Sequence, residues 1–92
     1  MKNSEIADIF EQIAGILEFR GENRFKTRAY RNAAATILEL PEPVEQMVNE
    51  DRLREIPGVG GAIAKKIVEL VATGRLEYLE GLKTGATWAK NG

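Results

Sequence analysis

The sequence has 92 residues, of which 43% are hydrophobic and 29% charged, a balance typical of one soluble globular domain rather than a disordered chain. Its 13 basic and 14 acidic side chains give a net charge of -1, so total charge does not indicate a nucleic-acid partner. The lack of cysteine and histidine excludes disulfides, the usual zinc sites, cysteine nucleophiles and histidine bases. Because no signal-peptide pattern and no apolar run of about 20 residues occurs, we expect a cytoplasmic protein without membrane contact.

The first half of the chain shows helical spacing of its hydrophobic side chains. This spacing predicts one helix over residues 4–20 and a second over residues 25–38. Asn3 or Ser4 is expected to cap the first helix, and Gly21 stands where a helix-ending glycine is common.

The second half predicts shorter elements. A third helix is predicted from Pro43, followed by a brief turn over residues 52–56 and a helix over residues 61–72. Residues 75–83 are predicted to form a last helix. The tail, residues 84–92, has no apolar period and is expected to be loose.

The predicted fold class is all-α, because no alternating strand pattern occurs in the sequence. We expect a small bundle of four or five short helices that forms one domain over residues 1–83.

Charge alternates in blocks along the chain. Residues 20–31 carry five basic side chains and one acidic one, and residues 52–66 carry four and one, while residues 1–19 and 39–51 are mainly acidic. If folding brings the two basic blocks together, one face becomes positive although the net charge is near zero. Scattered solvated charges are the alternative interpretation.

The segment IPGVGGAIAKKI, residues 56–67, places two glycines before a predicted helix and a third at its first residue. It lacks the hydroxyl residue of a Walker A loop and the preceding strand of a dinucleotide site. It predicts two helices joined by a tight turn, in which Gly58 and Gly60 allow φ values that other residues resist. The N–H groups of Gly60, Gly61 and Ala62 would then be unpaired at a helix N-terminus, where phosphate oxygens bind. This helix-hairpin-helix pattern holds nucleic-acid backbone without reading bases. A plain turn is the alternative.

Three segments together resemble the small N-terminal domain of family X DNA polymerases. They are NRFKTRAYRNAA at 23–34, IPGVGGAIAKKIVEL at 56–70 and ATGRLEYLEGL at 72–82. The resemblance implies a domain that binds the 5′-phosphate side of a DNA gap in base excision repair, and that in several members removes a 5′-deoxyribose phosphate. We expect the chain to be a monomer. The nucleotidyl-transfer domains of the family do not follow here, so we expect no polymerase activity from this chain alone.

The resemblance also implies roles for single residues. Lys66 matches the lysine that forms a Schiff base with the sugar, and Tyr30 matches the tyrosine beside it. Lys26 matches a basic residue four positions before that tyrosine. The residues predicted to contact DNA are Lys26, Arg28, Arg31, Gly58, Val59, Gly60, Gly61, Lys65 and Lys66.

A monovalent cation, Na⁺ or K⁺, is a further expectation from the resemblance, and no other cofactor is expected. Its ligands would be the backbone carbonyls of Arg54, Ile56 and Val59.

Four positions differ from the family pattern. Ala62 replaces a phosphate-contacting lysine, and Phe25 replaces a histidine of the vertebrate members. Lys65 replaces an acidic residue, and Tyr78 replaces a lysine near the last helix.

Three functions remain open from the sequence: binding of DNA backbone at gaps or 5′-phosphate ends, a deoxyribose-phosphate or abasic-site lyase acting through Lys66, and a helical protein-interaction module. The lyase needs a neutral Lys66, and both Lys65 and the helix N-terminus are expected to lower its pKa. It also needs an acceptor for the C2′ proton, for which water or Tyr30 is the candidate.

Overall fold

The computed structural model describes the backbone of residues 1–91 and the side chains of residues 1–84. It confirms the all-α prediction, because the described residues form five α-helices and no strand. These elements are α1 (Asn3–Phe19), α2 (Arg24–Glu39), α3 (Val44–Asn49), a 3₁₀ turn (Leu53–Glu55), α4 (Gly61–Thr73) and α5 (Glu77–Asn91).

The core is built on the pair α1 and α2, which a short connection makes antiparallel neighbours. Ala33 and Ala34 are fully buried on α2 and allow the two helices to approach closely. Gly21 ends α1 as predicted: its φ is +69°, and the next N–H donates to the Leu17 carbonyl at 3.0 Å. The residues that α1 buries are Ile6, Ala7, Phe10, Ile13, Ala14 and Leu17.

The prediction that Asn3 or Ser4 caps α1 is wrong, because Lys2 is the capping residue. The Asn3 side chain instead reaches the start of α3. Its amide donates to the Glu42 carbonyl at 2.9 Å, and its oxygen accepts the Val44 N–H at 2.8 Å. Asn3 therefore caps a helix that is distant in sequence, which the local pattern could not show.

The hairpin loop lies between the 3₁₀ turn that follows α3 and the start of α4. α3 begins after Pro43 and is followed by the 3₁₀ turn, as predicted. α4 begins at Gly61 and ends at Gly74, whose φ is +75°.

The last helix is longer than predicted. The backbone of α5 is helical from Glu77 through Asn91, whereas the sequence predicted a helix only to residue 83. The division into a domain of residues 1–83 and a tail of residues 84–92 stays a prediction.

One arginine of the second basic block is neutralised locally. Arg52 donates to both carboxylate oxygens of Glu42, at 3.0 and 2.9 Å, to Glu50 at 2.6 Å and to Glu55 at 3.2 Å. This group ties the start of α3 to the 3₁₀ turn, so Arg52 adds little to a positive surface. None of the described helices has the length and apolar character needed to cross a bilayer.

Candidate functional site

Two buried apolar side chains anchor the hairpin loop, which lies between the 3₁₀ turn and α4, to the core. Ile56 and Val59 are 2% and 5% exposed, and the Val59 N–H donates to the Ile56 carbonyl at 3.1 Å. The residues between and after them are exposed: Pro57, Gly58, Gly60, Gly61 and Ala62. At its three glycines the loop therefore presents backbone, not side chains, to its surroundings.

The hairpin glycines differ in why they suit their positions. Gly58 has a φ of +81°, which side-chain-bearing residues resist, so the prediction for it is confirmed. Gly60 has φ -88° and ψ -175°, an extended conformation open to any residue, so the φ prediction for it is wrong. A Cβ at Gly60 or at Gly61 would meet no atom within 4 Å. What glycine provides there is open space in front of the backbone.

The start of α4 offers unpaired donors. Gly60 is the capping residue, and its carbonyl accepts the Ala64 N–H at 2.9 Å, but no side chain caps this helix. The N–H groups of Gly61 and Ala62, at the first two helical positions, have no intrahelical acceptor. A helix N-terminus with exposed N–H groups attracts an anion such as a phosphate oxygen.

Beside the hairpin, two lysines and two tyrosines from three helices converge. The Lys66 Nζ lies 4.7 Å from the ring centroid of Tyr78 and 6.0 Å from that of Tyr30. The Lys26 Nζ lies 5.7 Å from the Tyr78 ring. The two rings are nearly parallel, with centroids 6.0 Å apart and an interplanar angle of 18°. We call these four residues the lysine–tyrosine cluster.

The surroundings in the cluster shift the pKa values of Lys66 and Tyr30. Burial, and then the nearby charge of Lys26, lowers the pKa of Lys66, and Glu69 opposes this shift. Burial and Lys26 thus lower the pKa of Lys66, whereas the sequence suggested Lys65, which is exposed on α4, and the helix N-terminus.

Tyr30 is 4% exposed and packs on Phe10 at a centroid distance of 5.8 Å. Burial, followed by the neighbouring phenol of Tyr78, raises the pKa of Tyr30. Its hydroxyl is consequently protonated at neutral pH and can donate a hydrogen bond, but it is a poor proton acceptor.

The predicted DNA-contact residues of α2 are not on one face. Lys26 and Tyr30 are four residues apart and point toward α4 and α5. Arg28 lies about 200° around the helix from Lys26 and lines a groove with Arg24. Arg31 donates to both oxygens of Glu18 at 3.0 Å. The structure thus joins Lys26 to Lys66 and leaves the two predicted arginines elsewhere.

The hairpin carbonyls suit a monovalent cation in their chemistry. The residue three after Arg54 is Pro57, which has no N–H to give to the Arg54 carbonyl. The Ile56 carbonyl accepts one N–H and keeps a second lone pair. Carbonyl oxygens are hard ligands, which suit hard cations. The described residues hold no group of three His, Cys, Asp or Glu side chains that could bind a metal ion. The cation site of Arg54, Ile56 and Val59 stays a prediction.

Sequence reasoning missed the central place of Tyr78. It appeared only as a replacement for a lysine, yet among the described side chains its ring is the aromatic group nearest to the Lys66 amine. No local spacing could have indicated this, because the two residues are on different helices.

Comparisons with known proteins agree with this architecture. The helix-hairpin-helix domain family matches residues 1–76. DNA polymerase lambda of Arabidopsis thaliana is 34% identical over 82 residues, which cover 89% of this chain and 15% of that protein. DNA polymerase/3'-5' exonuclease PolX of Bacillus subtilis (strain 168) is 30% identical over 83 residues, which cover 90% of this chain and 14% of that protein.

This chain spans about one seventh of the length of each of these relatives. The family match nevertheless covers most of the chain, including the hairpin and the start of α4. The resemblance inferred from the sequence is thereby confirmed, and the chain belongs to the helix-hairpin-helix domain family, in the form carried by family X DNA polymerases.

Proposed function

We propose that this chain binds the sugar-phosphate backbone of DNA, without reading its sequence, at the gaps or 5′-phosphate ends that arise in DNA repair. One observation carries the proposal: α4 begins with an exposed glycine loop and no side-chain cap. A phosphate oxygen can approach these N–H groups because no Cβ stands in front of them.

Charge near the hairpin supports this proposal. In the part of the chain that the structure describes, Lys26, Lys65 and Lys66 form no salt bridge with a carboxylate. Their charges are therefore available to phosphates, unlike those of Arg31 and Arg52. Both relatives are named as DNA polymerases, in keeping with a domain that contacts DNA.

The test is fluorescence anisotropy with three duplexes of the same sequence: one with a gap and a 5′-phosphate, one with the gap and a 5′-hydroxyl, and one intact. We expect the phosphorylated gap to bind most tightly. Affinity should fall steeply with added salt, since each neutralised phosphate releases counterions.

The loop is tested with Gly60→Val and a matched control, Gly15→Val. Both glycines have open space for the new side chain, but Gly15 lies within α1, away from the loop. Gly60→Val should weaken binding, because its side chain blocks the approach of a phosphate to the helix end. Equal binding of both variants would contradict this role for the loop. Absence of salt-dependent DNA binding would instead support a helical protein-interaction module.

A second function, cleavage of a 5′-deoxyribose phosphate, is supported by the half-buried Lys66 amine in the lysine–tyrosine cluster. The neutral amine would attack C1′ of the ring-opened sugar, and the resulting carbinolamine would lose water to give an imine. Removal of a C2′ proton then pushes electrons toward the imine and breaks the C3′–O bond, releasing the 5′-phosphorylated strand. The imine is finally hydrolysed to regenerate the amine.

In the proposed reaction, solvent water accepts the C2′ proton. The raised pKa of Tyr30 keeps its phenol protonated, so Tyr30 serves as a hydrogen-bond donor near Lys66.

Borohydride trapping on DNA with a 5′-deoxyribose phosphate tests the lyase. We expect a covalent adduct with the wild-type chain and with Lys65→Ala, and none with Lys66→Ala. An adduct that survives Lys66→Ala would contradict this role for Lys66. If the wild-type chain binds DNA normally but gives no adduct, only the DNA-binding function is supported.

A further inference from the structure

The Lys66 side chain is held on an aromatic surface formed by another helix. Its Nζ is closer to the Tyr78 ring, at 4.7 Å, than to the Tyr30 ring, at 6.0 Å. Tyr78 in turn stacks on Tyr30, which is buried against Phe10. Contacts therefore run from the core, through two stacked rings, to the amine.

The orientation of Tyr78 follows from how α5 begins. The Glu69 carboxylate accepts the Glu77 N–H at 2.8 Å, immediately before Tyr78. Gly74 ends α4 with a φ of +75°, and the Thr73 hydroxyl accepts the Arg75 N–H at 3.1 Å. Such side-chain acceptors fix the direction of a helix start. Glu69 is only three residues from Lys66, so one helical face carries both the amine and the group that sets its aromatic neighbour.

A lysine that attacks a carbonyl carbon needs its amine held at a defined position. Four rotatable bonds separate the Lys66 ammonium from the backbone. If nothing confined this side chain beforehand, the reaction would have to bear the conformational entropy lost in ordering it. An aromatic face confines such a chain by packing of its methylenes, which acts on the neutral amine as well, and by cation–π attraction while the amine is protonated. Holding reacting groups in place can contribute a large part of a rate enhancement.

We infer that Tyr78 is a positioning residue, whose ring holds the Lys66 amine for attack on the sugar aldehyde, and that Glu69 sets Tyr78 in place through the start of α5. This inference rests on the proposed lyase function. Among the described side chains, the groups that face the amine are Lys26 and Tyr30 from α2, Glu69 from its own helix, and Tyr78 from α5.

The first measurement uses the DNA-free protein. In NMR spectra, the methylene protons of Lys66 next to Nζ should be shifted upfield by the Tyr78 ring current. Tyr78→Leu should remove this shift, whereas Tyr78→Phe, which keeps the ring, should retain it. Glu69→Ala should reduce the shift, and Glu69→Gln should preserve it because the amide oxygen can still accept the Glu77 N–H.

The second measurement is the single-turnover rate of borohydride-trapped adduct at saturating DNA. Tyr78→Leu should slow this rate by about 10- to 100-fold, the scale expected for a misplaced reacting group. Its Kd for the same DNA should change less than about twofold, and Tyr78→Phe should react at nearly the wild-type rate.

Three results would overturn the inference. The Lys66 signals could be unchanged in Tyr78→Leu, which would show that the ring does not hold the amine. Alternatively, Tyr78→Leu could weaken DNA binding with no loss of rate at saturation, which would make Tyr78 a DNA contact. Absence of any adduct from the wild-type chain would contradict the proposed lyase function itself. Tight DNA binding in the anisotropy titration would then show that the DNA-binding function is unaffected.

Discussion

Arg31 on α2 donates to both carboxylate oxygens of Glu18 on α1, at 3.0 Å each, and lies 3.7 Å from Glu11. This two-point contact lowers the pKa of Glu18. It also links the two helices that carry most of the core. An arginine that the sequence placed among the DNA contacts thus has an intramolecular role in the fold.

Arg31→Gln should leave DNA affinity and its salt dependence nearly unchanged. Its charge is matched by Glu18, so it has little left for a phosphate. Lys26→Gln, by contrast, should weaken binding and reduce the slope of log affinity against log salt by about 1, as for one lost phosphate contact. Anisotropy titrations at several salt concentrations measure both slopes. A larger effect from Arg31→Gln than from Lys26→Gln would contradict the division of α2 into two faces.

Gly58 and Gly60 should respond differently to alanine. Neither site has an atom within 4 Å of the added Cβ, so backbone conformation alone separates them. Gly58→Ala should lower the free energy of unfolding by about 1 kcal/mol, because a side chain resists a φ of +81°. Gly60→Ala should cost less than this, since the extended conformation is open to alanine and the restricted unfolded chain offsets the preference of a helix cap for glycine over alanine. Urea denaturation of both variants gives the comparison. Equal destabilisation would count against the backbone geometry of the loop.

Lys66 should react with a small electrophile faster than its neighbour Lys65. Burial and Lys26 lower the pKa of Lys66, so below that pKa a larger fraction of its amine is neutral. Lys26→Gln removes a like charge, should raise the pKa of Lys66, and should slow its labelling at a fixed pH. Competitive labelling with acetic anhydride and peptide mass spectrometry reads both lysines in one sample, with Lys65 as internal control. Faster labelling of Lys66 in Lys26→Gln would show that the two ammonium groups do not interact.

Arg52→Gln should destabilise the fold more at neutral than at acid pH. Arg52, followed by Gln46, lowers the pKa of Glu50. A carboxyl group whose folded pKa is lowered contributes stability above its unfolded pKa, about 4.3 for glutamate, and loses it as pH falls through the folded pKa.

The difference in unfolding free energy between wild type and Arg52→Gln should therefore be largest near neutral pH and shrink below about pH 4. Urea denaturation over this range measures it. Lys2→Gln is a matched control for loss of one positive charge, because Lys2 forms no ion pair in the described part of the chain. A constant difference across pH would indicate that Arg52 acts by packing alone.

Local signals in the sequence predicted those parts of the molecule that local physics controls. Apolar spacing located the helices, and Gly21, Gly58 and Gly74 have the positive φ values that glycine tolerates. The same reasoning failed for Gly60, whose backbone is extended, and for Asn3, whose hydrogen bonds go to another helix.

The sequence by itself determined an all-α chain with a glycine hairpin before a helix, because helix periodicity and turn chemistry depend on neighbours a few residues apart. Only the tertiary structure decided which of the described basic side chains form ion pairs and what surrounds the Lys66 amine. Ion pairs such as Arg31 with Glu18, and the contact of Lys66 with Tyr78, join different helices. Their geometry depends on how the helices pack, which no local spacing in the chain contains.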